Sequence, residues 1–336
     1  MFYKSLIFSL FFSFQNIYAN NNLEYNTQKL IEMINQNKTQ LFELPIHEAR
    51  KVFTGFQDMP NKLNTKDKIF VTEKLIPINN GKKVKVKIIR PENSKKVLPA
   101  FVYFHGGGWV FGEFKGYERF IKDLVKNSDA VGIFVEYSLS PEAKFGTAIE
   151  EAYEVTRWFA ENGKSLKIDG NKIAVVGDSA GANLATVVAL KAKEKGTPKI
   201  LFQFLICPVT NYAFETESYK KYSSGYLLTK ELMQWFWNNY SDNSENLKSI
   251  YASPLRASTK ELENLPPALI QTAEFDVLRD EGEEYGRKLN SAKVPVVTLR
   301  YNGMIHDFMI LNALKNIPTA NSALIQGASE LKKHLN

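Results

Sequence analysis

Apolar and polar positions along this chain follow two different rhythms. From Leu98 onward, short apolar runs (Leu98 to Phe104, Val131 to Val135, Ile173 to Val176, Ile200 to Ile206, Ala268 to Thr272, Val294 to Leu299) alternate with segments of helical period. Thr147 to Glu161, Ala182 to about Lys193 and Glu281 to Asn290 are such helical segments. Continuous apolar runs of this length read as strands buried on both faces. Their alternation with helices predicts a mostly parallel sheet covered on both sides.

Upstream, the rhythm changes. Leu23 to Asn35 and Ile46 to Phe56 have the spacing of amphipathic helices, separated near Leu44-Pro45. Ile69 to Ile76 and Val84 to Arg90 read as strands joined through Asn79-Asn80-Gly81, a hairpin turn sequence. Lys82-Lys83-Val84-Lys85-Val86-Lys87 alternates charge with apolar residues. That pattern predicts a solvated edge strand, protected by charge against edge pairing. Between Tyr212 and about Tyr240 the alternation is interrupted by a segment dense in aromatics.

The first residues form a separate unit. Lys4 supplies a positive start, Leu6 to Phe14 an apolar stretch, and Tyr18-Ala19 a small residue before Asn20. This predicts a signal peptide over residues 1–19, cleaved after Ala19, and a secreted or periplasmic protein. The stretch is short for a stable membrane span. An uncleaved N-terminal membrane anchor is the alternative, because Ile17 is large for its place in a cleavage motif.

Composition narrows the class. At 336 residues, residues 20–336 suffice for one large α/β domain with a small cap. The net charge of +7 comes from scattered lysines, and no basic motif is interleaved with aromatics as nucleic-acid binding would need. The single cysteine, Cys207, cannot form an internal disulfide and reads as a buried thiol ending its apolar run. No His/Cys/Asp cluster has zinc-like spacing, so no metal is expected.

The chemistry is concentrated where strands end. Gly177-Asp178-Ser179-Ala180-Gly181 follows the run Ile173 to Val176 and precedes a helix. Two glycines around a serine recur in many proteins; the strand before and the helix after mark this one as a nucleophile elbow. Upstream, His105-Gly106-Gly107-Gly108-Trp109 closes the run Leu98 to Phe104. A glycine loop there can aim backbone N–H groups at an oxyanion, together with the N–H of Ala180.

A serine nucleophile needs a base, and the base needs an orienting acid. Of the four histidines (His47, His105, His306, His334), only the last two follow Ser179. His334 lies in a Lys-rich C-terminal tail, whereas His306 lies just past the Val294 to Leu299 run. His306 is the candidate base. Asp276, just beyond Ala268 to Thr272, is the candidate acid; Asp280 suits a helix start and Glu274 remains an alternative.

These blocks, with Glu136 to Glu142 and Gly303 to Phe308, resemble the hormone-sensitive-lipase-like family of α/β-hydrolases from about Leu41 to near the C-terminus. The resemblance implies an α/β-hydrolase fold and a triad of Ser179, Asp276 and His306. It also implies oxyanion donors from Gly107, Gly108 and Ala180, with His105, Gly106, Gly177, Asp178 and Gly181 as supporting motif positions. It places a cap over Ser179, built from about residues 20–60 and 212–245. Candidate pocket residues are then Trp109, Tyr212, Phe214, Trp235 and Phe236. The family tends to have Asp-Tyr-Arg-Leu-Ala-Pro-Glu where this chain has Glu136 to Glu142, and His-Gly-Phe where it has His306-Asp307-Phe308. The second departure sets an acid beside the base.

The expectation is a serine carboxylesterase, without cofactor, acting on small and fairly apolar esters as a monomer or homodimer. An amidase or deacylase with the same triad is the alternative. A non-catalytic small-molecule receptor on the same scaffold is a remote one, because such a protein is expected to lose a triad member.

Overall fold

The computed structural model describes residues 22–36, 39–57, 69–91 and 96–336. The expected leader over residues 1–19 lies outside the described residues. Eight strands form one sheet in the order β1-β2-β4-β3-β5-β6-β7-β8. They are β1 (Ile69–Pro77), β2 (Lys83–Pro91), β3 (Leu98–Phe104), β4 (Val131–Glu136), β5 (Ile168–Asp178), β6 (Ile200–Ile206), β7 (Ala268–Phe275) and β8 (Val296–Ile305). β1, β2 and β4 pair antiparallel. From β4 through β3, β5, β6 and β7 to β8 every pairing is parallel. A parallel sheet must bury both faces, because each crossover lays a helix on it. The central strands obey: every residue of β3 after Leu98, and Ile173 to Asp178 of β5, is buried.

The helices are α1 (Tyr25–Gln36), α2 (Ile46–Gln57), α3 (Phe114–Ser128), α4 (Thr147–Asn162), α5 (Ala180–Lys195), α6 (Glu217–Lys221), α7 (Lys230–Tyr240), α8 (Ser244–Lys248), α9 (Thr259–Leu262), α10 (Arg279–Ser291) and α11 (Pro318–Leu335). α3 packs on α11, α4 on α5, and α5 on β5 and β6. α5 is buried along nearly its whole length, from Ala180 to Leu190 without interruption. A helix apolar on all sides belongs inside a protein. Gly196 ends it in the left-handed conformation, φ 70°.

One sequence expectation is corrected here. The lysine-rich strand is not an edge strand: β2 pairs with β1 on one side and β4 on the other. Its alternation separates two faces instead. Val84, Val86 and Ile88 are buried. Lys85 and Lys87 reach Glu136 at 2.6 and 3.7 Å, and Lys87 also reaches Glu73 at 2.6 Å. Charge alternation reports a half-wet strand, which can lie inside a sheet as well as at its rim. The hairpin is formed, with Asn79–Gly81 making a 3-10 turn between the strands.

Candidate active site

Three consecutive parallel connections bring the expected residues to the C-terminal edge of the sheet, where open α/β sheets gather ligands. β5 ends at Asp178 and α5 begins at Ala180, so Ser179 alone makes the turn. Its backbone sits at φ 52°, ψ −120°, a conformation that L-residues rarely adopt. The strain is held by hydrogen bonds on both sides. Ser179 N–H donates to Ile206 O at 2.8 Å, and Ser179 O accepts from Asn183 N–H at 3.1 Å. The flanking glycines are required by close approach. A Cβ at Gly177 would overlap the backbone of Gly181, and one at Gly181 would overlap the backbone of Phe104.

The glycine loop after β3 is fixed from behind. Its first residue, His105, stacks on Tyr137 with ring centroids 4.2 Å apart, and its Nδ1 lies 2.9 Å from Gly106 O. Burial pushes this imidazole down to about 4, so it is neutral and structural. Tyr137 hydroxyl donates to His105 O at 2.7 Å. Gly106 N–H donates to Asp178 Oδ1 at 3.0 Å, joining the loop to the elbow, and the Tyr103 hydroxyl donates to the same oxygen. Gly107 and Gly108 then take positive φ values of 94° and 61°. Ala180 is the first residue of α5, and N–H groups in a first helical turn have no intrahelical acceptor.

His306 follows β8 directly. The strand runs six residues further than the Val294 to Leu299 pattern and ends at Ile305, with a register shift against β7 between Ala273 and Phe275. Its Nδ1 lies 2.7 Å from Asp276 Oδ2, and Asp276 Oδ1 accepts from Leu278 N–H at 2.9 Å. Both side chains are buried. Burial by itself would push His306 down. The charges of Asp276 and Asp307 and the hydrogen bond to Asp276 outweigh it and hold the imidazole well above its usual value. The rival carboxylates are engaged elsewhere. Glu274 accepts from Gly303 N–H at 2.8 Å, and Asp280 from Ser218 N–H at 2.7 Å.

Ser179, His306, Gly107 and Gly108 open together on a cavity of about 630 Å³. Its other walls come from α1, the 41–42 turn, α2, residues 224–232 and Phe236 of α7. The five expected pocket aromatics separate here. Phe236 lines the cavity, and a Cβ at Gly108 would overlap its ring. Trp109, Tyr212, Phe214 and Trp235 lie outside the lining. Trp109 leaves the glycine loop at φ 61° and stacks on Tyr240, with centroids 4.1 Å apart and planes 5° apart. Tyr212 meets Trp237 and Phe214 edge-on, and Trp235 packs on Phe111. Ring-on-ring contacts account for the packing of these side chains without a ligand.

Some contributors were not visible in the sequence. Arg119 of α3 is buried and donates to the carbonyls of Met309 and Ile310 at 2.8 and 2.7 Å, clamping the turn that carries His306. Arg50 of α2 donates to Val110 O and Ser140 O, both at 2.9 Å, tying the N-terminal helix to the glycine loop. Neither has a local pattern; each depends on contacts 60 or more positions away. Cys207 is buried in the core, as expected, and it also stands beside the candidate base. Cys207, Asp276 and His306 bring a thiol, a carboxylate and an imidazole within 4.8 Å of one another, and the Asp276–His306 hydrogen bond already joins two of them. Burial pushes the thiol up to about 12, so it stands protonated beside the imidazole. No helix among the described residues is long and apolar enough to cross a membrane.

Comparison with known proteins bears on the fold and the family. A family model described as alpha/beta hydrolase fold matches residues 101–310. The chain is 32% identical to the ethyl acetate hydrolase of Pseudomonas putida, over 87% of this chain and 93% of that protein. It is 30% identical to the carboxylesterase NlhH of Mycobacterium tuberculosis, over 79% of this chain and 83% of that one. Among solved structures, a thermostable esterase from Pseudomonas putida superposes with a TM-score of 0.91 at 50% identity, covering 94% of this chain and 98% of that chain. The chain therefore belongs to the hormone-sensitive-lipase-like family of α/β-hydrolases, as an enzyme that acts on carboxylic ester bonds.

Proposed function

We propose that this enzyme is a serine carboxylesterase for small, fairly apolar esters, working through an acyl-enzyme on Ser179. In this reading Ser179 Oγ attacks the ester carbonyl while His306 Nε2 takes its proton. Asp276, on Nδ1, fixes the tautomer and stabilises the imidazolium. The N–H groups of Gly107, Gly108 and Ala180 hold the oxyanion. His306 then returns the proton to the leaving alcohol, and a water activated by the same base releases the acid. No step calls on a cofactor.

The observation that carries the reading is one cavity shared by Ser179, His306 and both glycines, with Asp276 hydrogen-bonded behind the base. The preference for apolar substrates rests on the walls. Ile34, Phe53, Phe56, Leu228 and Phe236 bring hydrocarbon to the serine, and sites of this kind bind through apolar contact with a few oriented polar groups. The segments around 22–57 and 212–245 act in this reading as a cap that excludes water.

The test is a panel of aryl esters of increasing acyl length plus one matching aryl amide, with Ser179→Ala as control. Turnover of the shorter esters well above that of the amide is expected. Faster amide cleavage would replace this reading with an amidase. We also read residues 1–19 as a leader that exports the enzyme. N-terminal sequencing should find Asn20 first, and an intact Met1 in the membrane fraction would replace export with anchoring.

A further inference from the structure

The residue after the base is the feature this reaction does not use. Asp307 lines the cavity and is half-buried, at φ 54°. Its turn is rigid. Asp307 O accepts from Ile310 N–H at 2.8 Å and Leu311 N–H at 3.1 Å, with Arg119 holding the next carbonyls. Its Oδ2 lies 3.3 Å from His306 Nε2, the nitrogen opposite Asp276. The imidazole is thus flanked by a carboxyl group on each ring nitrogen.

Beyond Asp307 stands a fully buried carboxyl, Asp178 of the elbow, close enough to interact with it directly. Asp178 Oδ1 is served by the Tyr103 hydroxyl and Gly106 N–H. Its Oδ2 has no protein donor, and neither has Asp307 Oδ1. Two neighbouring acceptors with no donor can be satisfied together by one proton held between them. The two donors favour an anion on Asp178, but complete burial outweighs them and holds that carboxyl well above the usual carboxylate range, so the proton is shared between the two groups.

We propose that Asp178 and Asp307 form a proton-sharing carboxyl pair at the Nε2 edge of His306, and that Asp307 is a positioning residue which sets how readily the imidazole gives up its proton. With the proton on Asp307, that carboxyl is neutral and leaves Nε2 to Ser179. When the proton passes to Asp178 or is lost, a carboxylate faces Nε2, holds the imidazolium and withholds the base. The groups around Asp307 are His306 and Asp276 at its own edge, Cys207 after β6, Asp178 after β5, Tyr103 in β3 and Tyr117 in α3. Burial, against the pull of His306, brings Asp307 up to about 6, so the exchange falls in a range the enzyme can meet.

This inference rests on His306 being the base, and the experiment separates the two. The His306 imidazole is titrated by nitrogen-15 NMR in the parent enzyme, with His306→Gln identifying its signal, and the acid limb of kcat/KM is measured on the same samples. Asp307→Asn removes the charge at Nε2 and should lower the imidazole midpoint, by on the order of one pH unit. Asp307→Gly suits the left-handed backbone and should shift it the same way, guarding against a folding artefact. Asp178→Asn offers an amide N–H to Asp307, keeps it ionised, and should raise the midpoint. A midpoint unmoved in both Asp307 variants, or lowered in Asp178→Asn, overturns the proposal. Opposite shifts support it; if the acid limb then fails to follow them, the assignment of His306 as base fails while the carboxyl pair stands.

Discussion

The elbow side and the aromatic side of the cavity are built by opposite means. Around Ser179 position is set by backbone: a strained turn, glycines that admit no Cβ, and carbonyls clamped by Arg119 and Asn183. Around Phe236 it is set by rings on rings, as in Trp109 on Tyr240 and Trp235 on Phe236. Polar atoms in that cover go without protein partners, among them Trp109 Nε1, Trp237 Nε1 and Tyr240 hydroxyl. Leaving such groups unpaired costs roughly 1–3 kcal/mol each, and the buried ring area has to offset that cost. The lesson is a division of labour. A hydrogen-bonded edge has one geometry and suits chemistry, whereas a packed cover can change its side chains and keep its shape, and so suits selectivity.

The widest separation between the two sides should appear on removing the proposed nucleophile. Ser179→Ala is expected to lower kcat by on the order of 10⁶ with no loss of thermal stability. Steady-state kinetics beside a melting curve checks both parts, and residual activity near the parent level would end the comparison. Next in size is Asp276→Asn, which keeps the hydrogen-bonding shape but favours the wrong imidazole tautomer. A loss approaching ~10⁴ in kcat is expected. The matching change Glu274→Gln should cost far less, because Glu274 serves the Gly303 N–H.

A third way to sharpen the contrast is pH. In the proposed mechanism His306 must be neutral to accept the serine proton, and it is held above its usual value by Asp276 and Asp307 against burial. The protonated, inactive form therefore persists to higher pH than for a free imidazole. Below the shifted midpoint kcat/KM should fall about tenfold per pH unit. A rate–pH profile with its acid midpoint below 6.5, the ordinary histidine value, would contradict this.

Trp109 joins the two sides and tests the cover directly. Its carbonyl accepts from Ser140 N–H at 2.8 Å, while its ring belongs to the stack with Tyr240 and Trp237. Trp109→Ala should lower unfolding free energy by about 3–5 kcal/mol, read by denaturant titration. Any change in acyl preference should be small, because the ring does not line the cavity.

Much of this was legible in the sequence, for a physical reason. A buried parallel strand must be continuously apolar, so β3 and β6 match their patterns residue for residue. The elbow and the glycine loop depend on local backbone geometry, which only particular residues can adopt. What was illegible depends on the far side of a contact. Helical period cannot say which aromatic of Trp235-Phe236-Trp237 faces the cavity, since neighbours on a helix point about 100° apart and only the partner surface decides. Charge alternation could not tell an inner strand from an outer one. A motif departure flagged the acid beside His306, but its meeting with Asp178 appears only once β5 and β8 are folded into one sheet edge.

The smallest expected effect is also the finest test of the cover. Phe236 and Trp235 are neighbours in α7, yet only Phe236 lines the cavity, over Gly108. Phe236→Ala should open space beside the glycine loop and shift preference toward longer acyl chains. A pocket difference of one or two methylenes is worth ~1–3 kcal/mol, about 10–200-fold in relative kcat/KM. Trp235 is half-buried and packs on Phe111 behind that wall. Trp235→Ala should therefore move acyl preference only a few-fold, and through Phe236, whose ring centroid lies 5.5 Å away. The measurement is kcat/KM across acyl lengths for both variants, each first checked for its melting temperature. Equal shifts for the two would mean the cover yields as one body, and a uniform loss at every chain length would mean that Phe236 supports the fold without shaping the pocket.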